Sequence, residues 1–270
     1  MRPMILFRRG LCDATELSAI RQSGFRAANH RSAVPCDSMV IGRYSVLPYY
    51  RELEDDLAAF GSTLINTYTQ HRWIADIGAW CGEFAYDTPR TWLDFQAYLQ
   101  SGFDGPVVLK GRTNSRKQRW RRDMYAADQA QAREVWLRLL DDDLIAEQGI
   151  VVREFERFLF DGHDISGSPI TDEHRVFVID GEPVTGGFYW SEHRDVVSAD
   201  FIQDTAEAVR FVREKIAPKL RARFVVADVA RHRDGAWRLV ELNDGQMSGL
   251  SCIDPDEFYT ALAGRFADVP

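Results

Sequence analysis

The sequence predicts a mixed fold of the α/β (α+β) class, because β-rich runs and amphipathic helical segments alternate along its 270 residues. Two β-rich runs are prominent, over 150–160 and over 224–230. Helical segments separate such runs, and the segment 127–140 carries Val135 and Leu139 on one side. With 45% hydrophobic residues, the chain can bury a core and fits one large domain or two to three small lobes.

The overall composition restricts the class of partner. A formal net charge of −8 argues against a general nucleic-acid binder, whose surface is basic. The sequence has no apolar stretch of about 18 residues, so we expect no membrane span, and the apolar run 4–7 is too short for a signal peptide. The four cysteines show no metal-ligand spacing and indicate reduced thiols of a cytoplasmic protein: Cys12, Cys36, Cys81 and Cys252.

The first 87 residues predict a small α/β lobe. A strand is expected over 4–7, followed by a helix that Asp13 caps. Apolar residues at helical spacing predict a second helix over 52–60, and a third is expected over 69–80. Residues 87–92 then predict a strand that opens a new unit.

A strand-end lysine and the loop after it predict a phosphate site. The strand 107–109 ends in Lys110, and the loop 111–120 mixes small polar residues with cations. A lysine at the end of an apolar run is held firmly, and a polar loop rich in backbone donors can cradle a phosphate. Arg112 and Arg116 lie closest to Lys110 along the chain, so we expect them to reach the phosphates.

The same loop has no apolar anchor before Trp120, so we expect it to be mobile when the site is empty and to close over a bound ligand. The alternative is a permanently ordered surface segment. Lys117 could meet an acidic substrate or only water. The remaining arginines are interpreted as solvated surface, as most charge runs are: Arg119, Arg121 and Arg122.

Two arginines lie inside predicted strands. Arg153 falls within 150–160, where an unpaired cation would be costly, so it needs an anionic partner, either a structural carboxylate or a ligand phosphate. Residues 161–171 predict a loop rich in Gly, Ser and Pro. Residues 173–184 predict a hairpin with Arg175 on its first strand.

The last part of the chain predicts a hairpin in which 224–230 and 237–242 pair around an Asp-Gly turn. Asp228 lies on the first strand, and Glu241 and Asn243 lie at the end of the second, where alternate side chains share a face. Two carboxylates and an amide oxygen then converge, and such hard oxygen ligands suit Mg²⁺. The alternative is a surface hairpin whose acids are merely solvated.

The order of these parts resembles the plan of the ATP-grasp fold: a strand-end lysine, a strand carrying a hinge, an E-x-R strand and a terminal D…E-x-N hairpin. The resemblance covers about 88–249. The motifs around Lys110, Arg153 and Glu173-His-Arg175 are similar to those of a divergent clade marked by two arginines and a lysine. That clade includes a eukaryotic cell-division-cycle protein that assists assembly of a translation initiation factor.

The resemblance implies two ATP-grasp lobes that clasp ATP between them, preceded by an N-terminal α/β lobe. The implied division is 1–87 for the N-terminal substrate lobe, 88–160 for the first ATP-grasp lobe and 161–270 for the second, which carries the metal hairpin. ATP and Mg²⁺ are the implied cofactors.

The resemblance also implies roles for three sets of residues. The catalytic set would contact or line the triphosphate: Lys110, Arg153 and Arg175. The nucleotide-binding set adds two loop arginines and the main chain of a hinge that reads adenine: Arg112, Arg116, Glu154, Phe155 and Glu156. The metal set would hold Mg²⁺ against the phosphates: Asp228, Glu241 and Asn243.

Two departures from the family pattern restrict what carries over. Many amino-acid ligases of this fold have an arginine two residues before the first metal aspartate, where it steadies an oxyanion, and here that position is Val226. The hinge strand has Arg153 where many relatives have glutamate. The acceptor chemistry of those ligases therefore does not transfer to this chain.

The resemblance implies an ATP-dependent carboxylate–amine ligase that forms an amide through an acyl phosphate. Its substrates would be a carboxylate and an amine, each a small molecule or part of a peptide or protein. The alternative from another class is a non-catalytic ATP-binding assembly factor or chaperone for a protein partner. A phosphotransferase is a third reading, although no base for it stands out. ATP turnover with a trapped amide product separates the first two.

Overall fold

The computed structural model describes residues 2–8, 14–191 and 205–267, without the side chains of Phe160 and Asp161. The N-terminal strands are β1 (Met4–Phe7), β2 (Ala27–Ala28), β3 (Met39–Arg43) and β4 (Thr63–Leu64). They form a parallel sheet in the order β2-β1-β3-β4, and α1 (Ala14–Gln22) and α2 (Tyr50–Ala58) belong to the same lobe. The strand predicted at 4–7 is confirmed, whereas the proposed cap Asp13 lies outside the described residues.

The helix predicted over 69–80 is wrong as a single element. It is divided into α3 (Tyr68–Ala75) and α4 (Ile77–Trp80). Asp76 adopts an extended backbone between them, with φ −91° and ψ 102°, and its carboxylate accepts a hydrogen bond from the Gly78 N–H. A capping aspartate therefore ends one helix and starts the next.

A second sheet contains β5 (Thr91–Trp92), β6 (Val107–Gly111), β7 (Tyr125–Ala126) and β8 (Ile150–Glu154), in the order β5-β8-β6-β7. Its helices are α5 (Phe95–Gln100), α6 (Trp120–Asp123), α7 (Gln129–Leu140) and α8 (Asp143–Ala146). Leu109 and Val152 from the sheet pack with Val135 and Leu139 of α7 in one buried cluster. This packing holds β6 and β8, which carry Lys110 and Arg153.

The long strand predicted over 150–160 is wrong. β8 ends at Glu154, and 155–159 cross to a different part of the fold before β9 (Phe160–His163) begins. The Leu159 N–H donates to the carbonyl of Arg231, so the crossing segment is already bonded to the last sheet. The predicted loop 161–171 is also wrong in part, because β9 pairs with β10 (Pro169–Thr171) in a small hairpin.

The last sheet is antiparallel and contains β11 (Glu173–Ile179), β12 (Glu182–Phe188), β13 (Phe224–Arg231) and β14 (Trp237–Asp244). The strand order is β12-β11-β13-β14. Both predicted hairpins are confirmed. The first turns at Asp180 and Gly181 with φ of 48° and 78°, values that favour an Asp-Gly pair.

Both faces of this sheet are covered over much of its area. One face packs against α3, α4 and α9 (Thr205–Phe211), which continues as a π-helical stretch (Val212–Ile216) and a 3₁₀ turn (Ala217–Lys219). The other face packs Phe177 and Val226 against α10 (Pro255–Arg265) and α1. The N-terminal lobe and the last sheet thus share buried cores, and the predicted division at residues 87 and 160 stays a prediction.

The predicted mixed α/β class is confirmed. Within the described ranges, no helix has both the length and the apolar character that a bilayer crossing would need.

Candidate functional site

Polar side chains from β11, β13 and β14 lie side by side on one face of the last sheet, next to the apolar residues of that face. We call them the row. Arg175 on β11 pairs with Asp228 on β13, and Asp228 pairs with Glu241 on β14. Because side chains alternate along a strand, Glu173 and Asn243 lie on the same face, two residues away in their own strands. The predicted convergence of Asp228, Glu241 and Asn243 on one face is thus present in the register of the sheet.

A β-bulge separates Glu241 from the next pair in the ladder. Asp228 pairs with Glu241 but Val229 pairs with Leu239, so Val240 is the extra residue of β14. The Leu239 backbone is hydrogen-bonded to the segment that precedes β5 instead. Its N–H donates to the Asp87 carbonyl, and its carbonyl accepts from the Thr88 hydroxyl. The bulge therefore presents the Val240 carbonyl towards the second sheet.

Arg153 of β8 occupies the position opposite this bulge. It donates to the Val240 carbonyl at 2.7 Å, to the Thr88 hydroxyl at 2.8 Å and to the Thr91 hydroxyl at 3.3 Å. Burial lowers the pKa of Arg153, and the nearby Glu241 carboxylate opposes that shift. Of the two expected anionic partners, no structural carboxylate is bonded to Arg153 among the described residues, where neutral oxygens hold the guanidinium and tie the two sheets together. A ligand phosphate as its partner stays a prediction.

Arg175 is paired with a carboxylate. Its Nε and Nη2 donate to the two Asp228 oxygens at 2.9 Å each, and Asn243 Nδ2 donates to Asp228 Oδ2 at 2.9 Å. Burial opposes the charge of Arg175, but Asp228 outweighs it and raises the pKa of the guanidinium. The Tyr189 ring stacks 4.8 Å from the guanidinium carbon.

Lys110 and Glu241 form the shortest contact of the row, with 2.5 Å between Nζ and Oε1. Lys117 Nζ lies 4.0 Å from Glu241 Oε2. Burial alone would raise the pKa of Glu241, but Lys110, Lys117 and Arg153 together hold it well below its ordinary value. Glu241 is therefore a carboxylate facing three cations.

Glu173 lies beside this cluster and is 5% exposed. Burial raises the pKa of Glu173 to about 7, and Lys117 acts against that rise. Thr171 Oγ1 donates to Glu173 Oε2 at 3.1 Å. Glu173 can thus exchange a proton with its surroundings near neutral pH.

An open cleft of about 830 Å³ lies between the second and last sheets. One end is apolar and aromatic, with Val108, Trp120, Met124, Phe155 and Phe158. The other end carries charges, and its lining includes Lys110, Lys117, Arg153, Glu173 and Glu241. The predicted hinge residues Glu154, Phe155 and Glu156 all line this cleft, which we call the first cleft.

Glu156 gives the first cleft a buried acceptor. Burial raises its pKa, and its Oε2 is sealed from solvent and accepts no aligned hydrogen bond from the described residues. Arg238 Nε lies 3.4 Å from that oxygen without hydrogen-bond alignment.

Arg112 and Arg116, expected at the phosphates, do not line the first cleft. Arg112 makes a two-point ion pair with Asp76 at 2.7 and 2.8 Å, and Arg116 makes one with Asp142 at 2.6 Å. These two ion pairs anchor the loop, which has no apolar anchor before Trp120, and its expected mobility stays a prediction. From the loop, Ser115 and Lys117 reach the cleft instead.

A second cavity of about 500 Å³ lies on the other side of Glu241, towards the N-terminal lobe. Its lining combines β14 and the segment after it with α3 and the loop, and includes His71, Thr113, Glu241, Asn243 and Asp244. Glu241 lines both cavities, and the loop supplies Thr113 to the second cavity and Ser115 to the first cleft. Arg175 and Asp228 line neither, because Tyr189 and Asn243 contact them.

The donor set suits Mg²⁺ held jointly with a nucleotide. Among the described residues no group of three or more His, Cys, Asp and Glu side chains could hold a metal ion. A nucleotide-bound Mg²⁺ needs only one or two carboxylates, with phosphates and water completing its shell. Glu241 can serve in this way once Lys110 turns to a phosphate, with Asn243 beside it, whereas Asp228 is engaged by Arg175.

Four residues lie at the site that the sequence reasoning did not assign to it. Lys117 was expected to meet an acidic substrate or only water, and Glu173 was quoted only as part of the E-x-R strand. His71 and Asp244 pair across 173 positions, so no local pattern announces them. For Glu173 the signal was present, because it lies two residues before Arg175 and shares its face.

Comparisons with known proteins agree with this arrangement. Residues 99–262, more than half of the chain, match the family model described as ATP-grasp domain, R2K clade family 3. A search with the sequence matched no curated protein.

Several solved structures share the fold at low sequence identity. A RimK domain protein ATP-grasp from Sphaerobacter thermophilus is 16% identical, with a TM-score of 0.62 over 97% of this chain and 98% of that one. D-cycloserine synthetase DcsG is 16% identical, with a TM-score of 0.60 over 97% and 99%. ATP-grasp ligase PsnB, complexed with minimal precursor, is 15% identical, with a TM-score of 0.56 over 98% and 99%. With the family match over the lobes that form the first cleft, these findings show that the chain belongs to the ATP-grasp superfamily.

Proposed function

We propose that the protein is an ATP- and Mg²⁺-dependent ligase that joins a carboxylate to an amine through an acyl phosphate. The observation that carries the proposal is the meeting of two cavities at Glu241. The first cleft has the character for a nucleotide, with an aromatic end and a cationic end, and the second offers separate space beside its charged end. A protein that only bound ATP would need the first cleft alone.

The apolar end of the first cleft suits adenine. Trp120, Phe155 and Phe158 supply aromatic surface, and 155–156 supply main chain beyond the end of β8 at Glu154. Amide and carbonyl groups of such a segment can bond the edge of the base. This assignment of the hinge rests on the family resemblance and on the lining of the cleft.

The charged end suits the triphosphate. Lys110, Lys117 and Arg153 lie along it, and such cations stabilise the charge that builds up on a transferring phosphoryl group. Mg²⁺, when bound, would neutralise phosphate charge, with Glu241 and Asn243 as the protein groups nearest to it. Arg175 donates to Asp228, and Asp228 also accepts from Asn243. Arg175 therefore positions these two residues and does not contact the phosphates itself.

In the reaction we propose, a substrate carboxylate oxygen attacks the γ-phosphorus and the bond to the β-phosphate oxygen breaks, which releases ADP. The amine then attacks the acyl carbon, the carbon–oxygen bond to phosphate breaks, and the products are an amide and inorganic phosphate. Catalysis comes from positioning and charge stabilisation, since the chain's own cations hold the phosphates in place.

The test is a screen for hydroxamate formation. The protein is incubated with MgATP, hydroxylamine and a panel of amino acids and other carboxylates, and ferric ion detects any hydroxamate. Hydroxylamine traps an acyl phosphate whichever amine is the natural acceptor. We expect one chemical class of carboxylate to give hydroxamate and ADP in equal amounts; nucleotide binding without any hydroxamate across the panel would favour the assembly-factor alternative.

A further inference from the structure

The second cavity contains a histidine that the proposed reaction has not used. His71 belongs to α3, is 6% exposed and lines the cavity beside Glu241 and Asn243. Its Nδ1 lies 3.2 Å from Asp244 Oδ2. Its Nε2 makes no hydrogen bond with the described residues and is not sealed from solvent, so this nitrogen is available to a ligand in the cavity.

The surroundings of Asp244 determine which nitrogen carries the proton. Asn66 Nδ2 and the Gln246 N–H donate to Oδ1, and the Tyr50 hydroxyl, with one proton to donate, lies 2.9 Å from the Asn66 carbonyl and 3.3 Å from Oδ2. The Asp244 carboxylate is thus held in place by donors and faces His71 as a hydrogen-bond acceptor. Nδ1 therefore carries the hydrogen, and in the neutral ring Nε2 keeps the lone pair.

The ring is also held in its orientation. Tyr50 stacks on His71 with ring centroids 4.6 Å apart and 18° between the planes. Gln246 Nε2 donates to the Tyr50 hydroxyl at 2.6 Å, which fixes the tyrosine in turn. A carboxylate that orients an imidazole whose other nitrogen faces a cleft is the arrangement of a general base.

The charge of the cavity indicates which substrate it takes. Among the described residues that line it, none is lysine or arginine, whereas Glu241 and Asp244 are carboxylates. Glu241 is balanced by Lys110 and Lys117 on its other side, so the lining offers oxygen acceptors and no cation of its own. Such a lining disfavours a carboxylate or phosphate and favours an N–H donor such as an ammonium group. The cations that suit a carboxylate lie on the other side of Glu241.

We propose that the second cavity binds the amine substrate and that His71 Nε2 is the base that removes its proton. This inference rests on the proposed ligase reaction. His71 Nε2 first takes one proton from the bound ammonium, which frees the nitrogen lone pair. As this nitrogen bonds to the acyl carbon, the phosphate leaves with the electron pair of the broken carbon–oxygen bond and takes up the second N–H proton. Asp244 and Tyr50 are positioning residues that hold the imidazole, and the proton returns to water after release.

The first test is independent of turnover. In protein labelled with ¹⁵N-histidine, the His71 ring resonances are identified by their loss in His71→Asn, and methylammonium chloride is titrated as the probe. We expect saturable shifts of these resonances with methylammonium and not with sodium acetate at equal ionic strength. No shift, or the same shift with acetate, would overturn the amine assignment even if the first cleft binds ATP normally.

The second test compares two nucleophiles with the carboxylate that the screen selects. Hydroxylamine is already unprotonated at neutral pH, whereas an alkylamine must lose a proton, so only the alkylamine reaction needs a base. We expect His71→Asn to slow amide formation from methylamine by roughly 10²–10³-fold and hydroxamate formation by less than tenfold. The control His30→Asn changes an exposed histidine that bonds only to Ser32 in the described residues and should affect neither.

The outcomes separate the two proposals. Equal losses with both nucleophiles would show that His71 is structural, which contradicts the inference and leaves the ligase reaction intact. Absence of hydroxamate in the unmodified protein would contradict the proposed function, and the methylammonium titration would still report on the cavity.

Discussion

The Lys110–Glu241 contact predicts an unusual response to removing one charge. Glu241→Gln keeps an oxygen that can accept from Lys110 but removes the carboxylate that faces Lys110, Lys117 and Arg153. We expect this variant to bind metal-free ATP more tightly than the unmodified protein and to bind MgATP more weakly. The two effects have opposite signs because Glu241 repels phosphate but would attract the metal.

The size of the first effect follows from the geometry. A phosphate oxygen in contact with Lys110 would lie about 5 Å from the Glu241 carboxylate, where two unit charges repel by about 2–3 kcal/mol at an effective dielectric constant of about 20–40. The Glu241 side chain is 27% exposed, and solvent screening reduces this to about 1–2 kcal/mol. The expected gain in affinity for metal-free ATP is therefore roughly 5- to 30-fold.

The assay is isothermal titration calorimetry with a non-hydrolysable ATP analogue, once with EDTA and once with excess Mg²⁺. Glu207→Gln is the matched control, since it makes the same charge change on exposed α9, where Glu207 pairs with Arg210. Its affinities should stay within about twofold of the unmodified values. If Glu241→Gln left metal-free binding unchanged or weakened it, the cations would not be the phosphate site.

Three further outcomes follow from the same geometry. Arg175→Met should lower the free energy of unfolding by about 3–5 kcal/mol, because it leaves buried Asp228 unpaired; a loss under 1 kcal/mol in urea denaturation would contradict the ion pair. Burial raises the pKa of Glu173 to about 7, so the unmodified protein loses free energy of unfolding as pH rises from about 4.5 through 7, whereas Glu173→Gln does not. The free energy of unfolding of Glu173→Gln should therefore rise by about 2–3 kcal/mol relative to that of the unmodified protein between pH 5 and pH 8, and parallel pH profiles would refute this. Hydrogen exchange across 111–120 should slow when a non-hydrolysable ATP analogue binds, and more so in Arg116→Ala, which lacks the Asp142 anchor; equal protection with and without nucleotide would rule out a lid.

The sequence predicted the parts of the site that local patterns determine. Strand alternation put Glu241 and Asn243 on one face, and the Asp-Gly turn folded Asp228 opposite Glu241. Lys110 at the end of an apolar strand was expected to be held firmly, and it is 8% exposed within the first cleft. Each of these positions follows from a single strand or hairpin.

Features that depend on packing between distant segments could not be predicted in the same way. Proximity along the chain favoured Arg112 and Arg116 as phosphate ligands, but the docking of α4 and α8 gives each of them a carboxylate. β-forming apolar residues recur throughout 150–160 although the backbone changes sheets at 155–159. A strand-like sequence pattern indicates that a segment is buried, but it does not indicate which sheet the segment joins.

The bulge at Val240 shows a further limit. Arg153 was expected to need an anion, because a buried cation is costly without a partner. The extra residue of β14 and the hydroxyls of Thr88 and Thr91 supply neutral oxygens where a structural carboxylate was one of the two expected partners. The residue types of β14 do not predict this bulge.

The most direct test of the proposed acyl phosphate uses oxygen isotopes. The carboxylate selected by the hydroxamate screen is labelled with ¹⁸O in both oxygens and incubated with MgATP and an amine, and the phosphate released is analysed by mass spectrometry. The account predicts ADP as the nucleotide product and one ¹⁸O atom in each inorganic phosphate, because the carboxylate oxygen that attacks phosphorus leaves with it. Phosphate without ¹⁸O, or AMP and pyrophosphate as products, would contradict it.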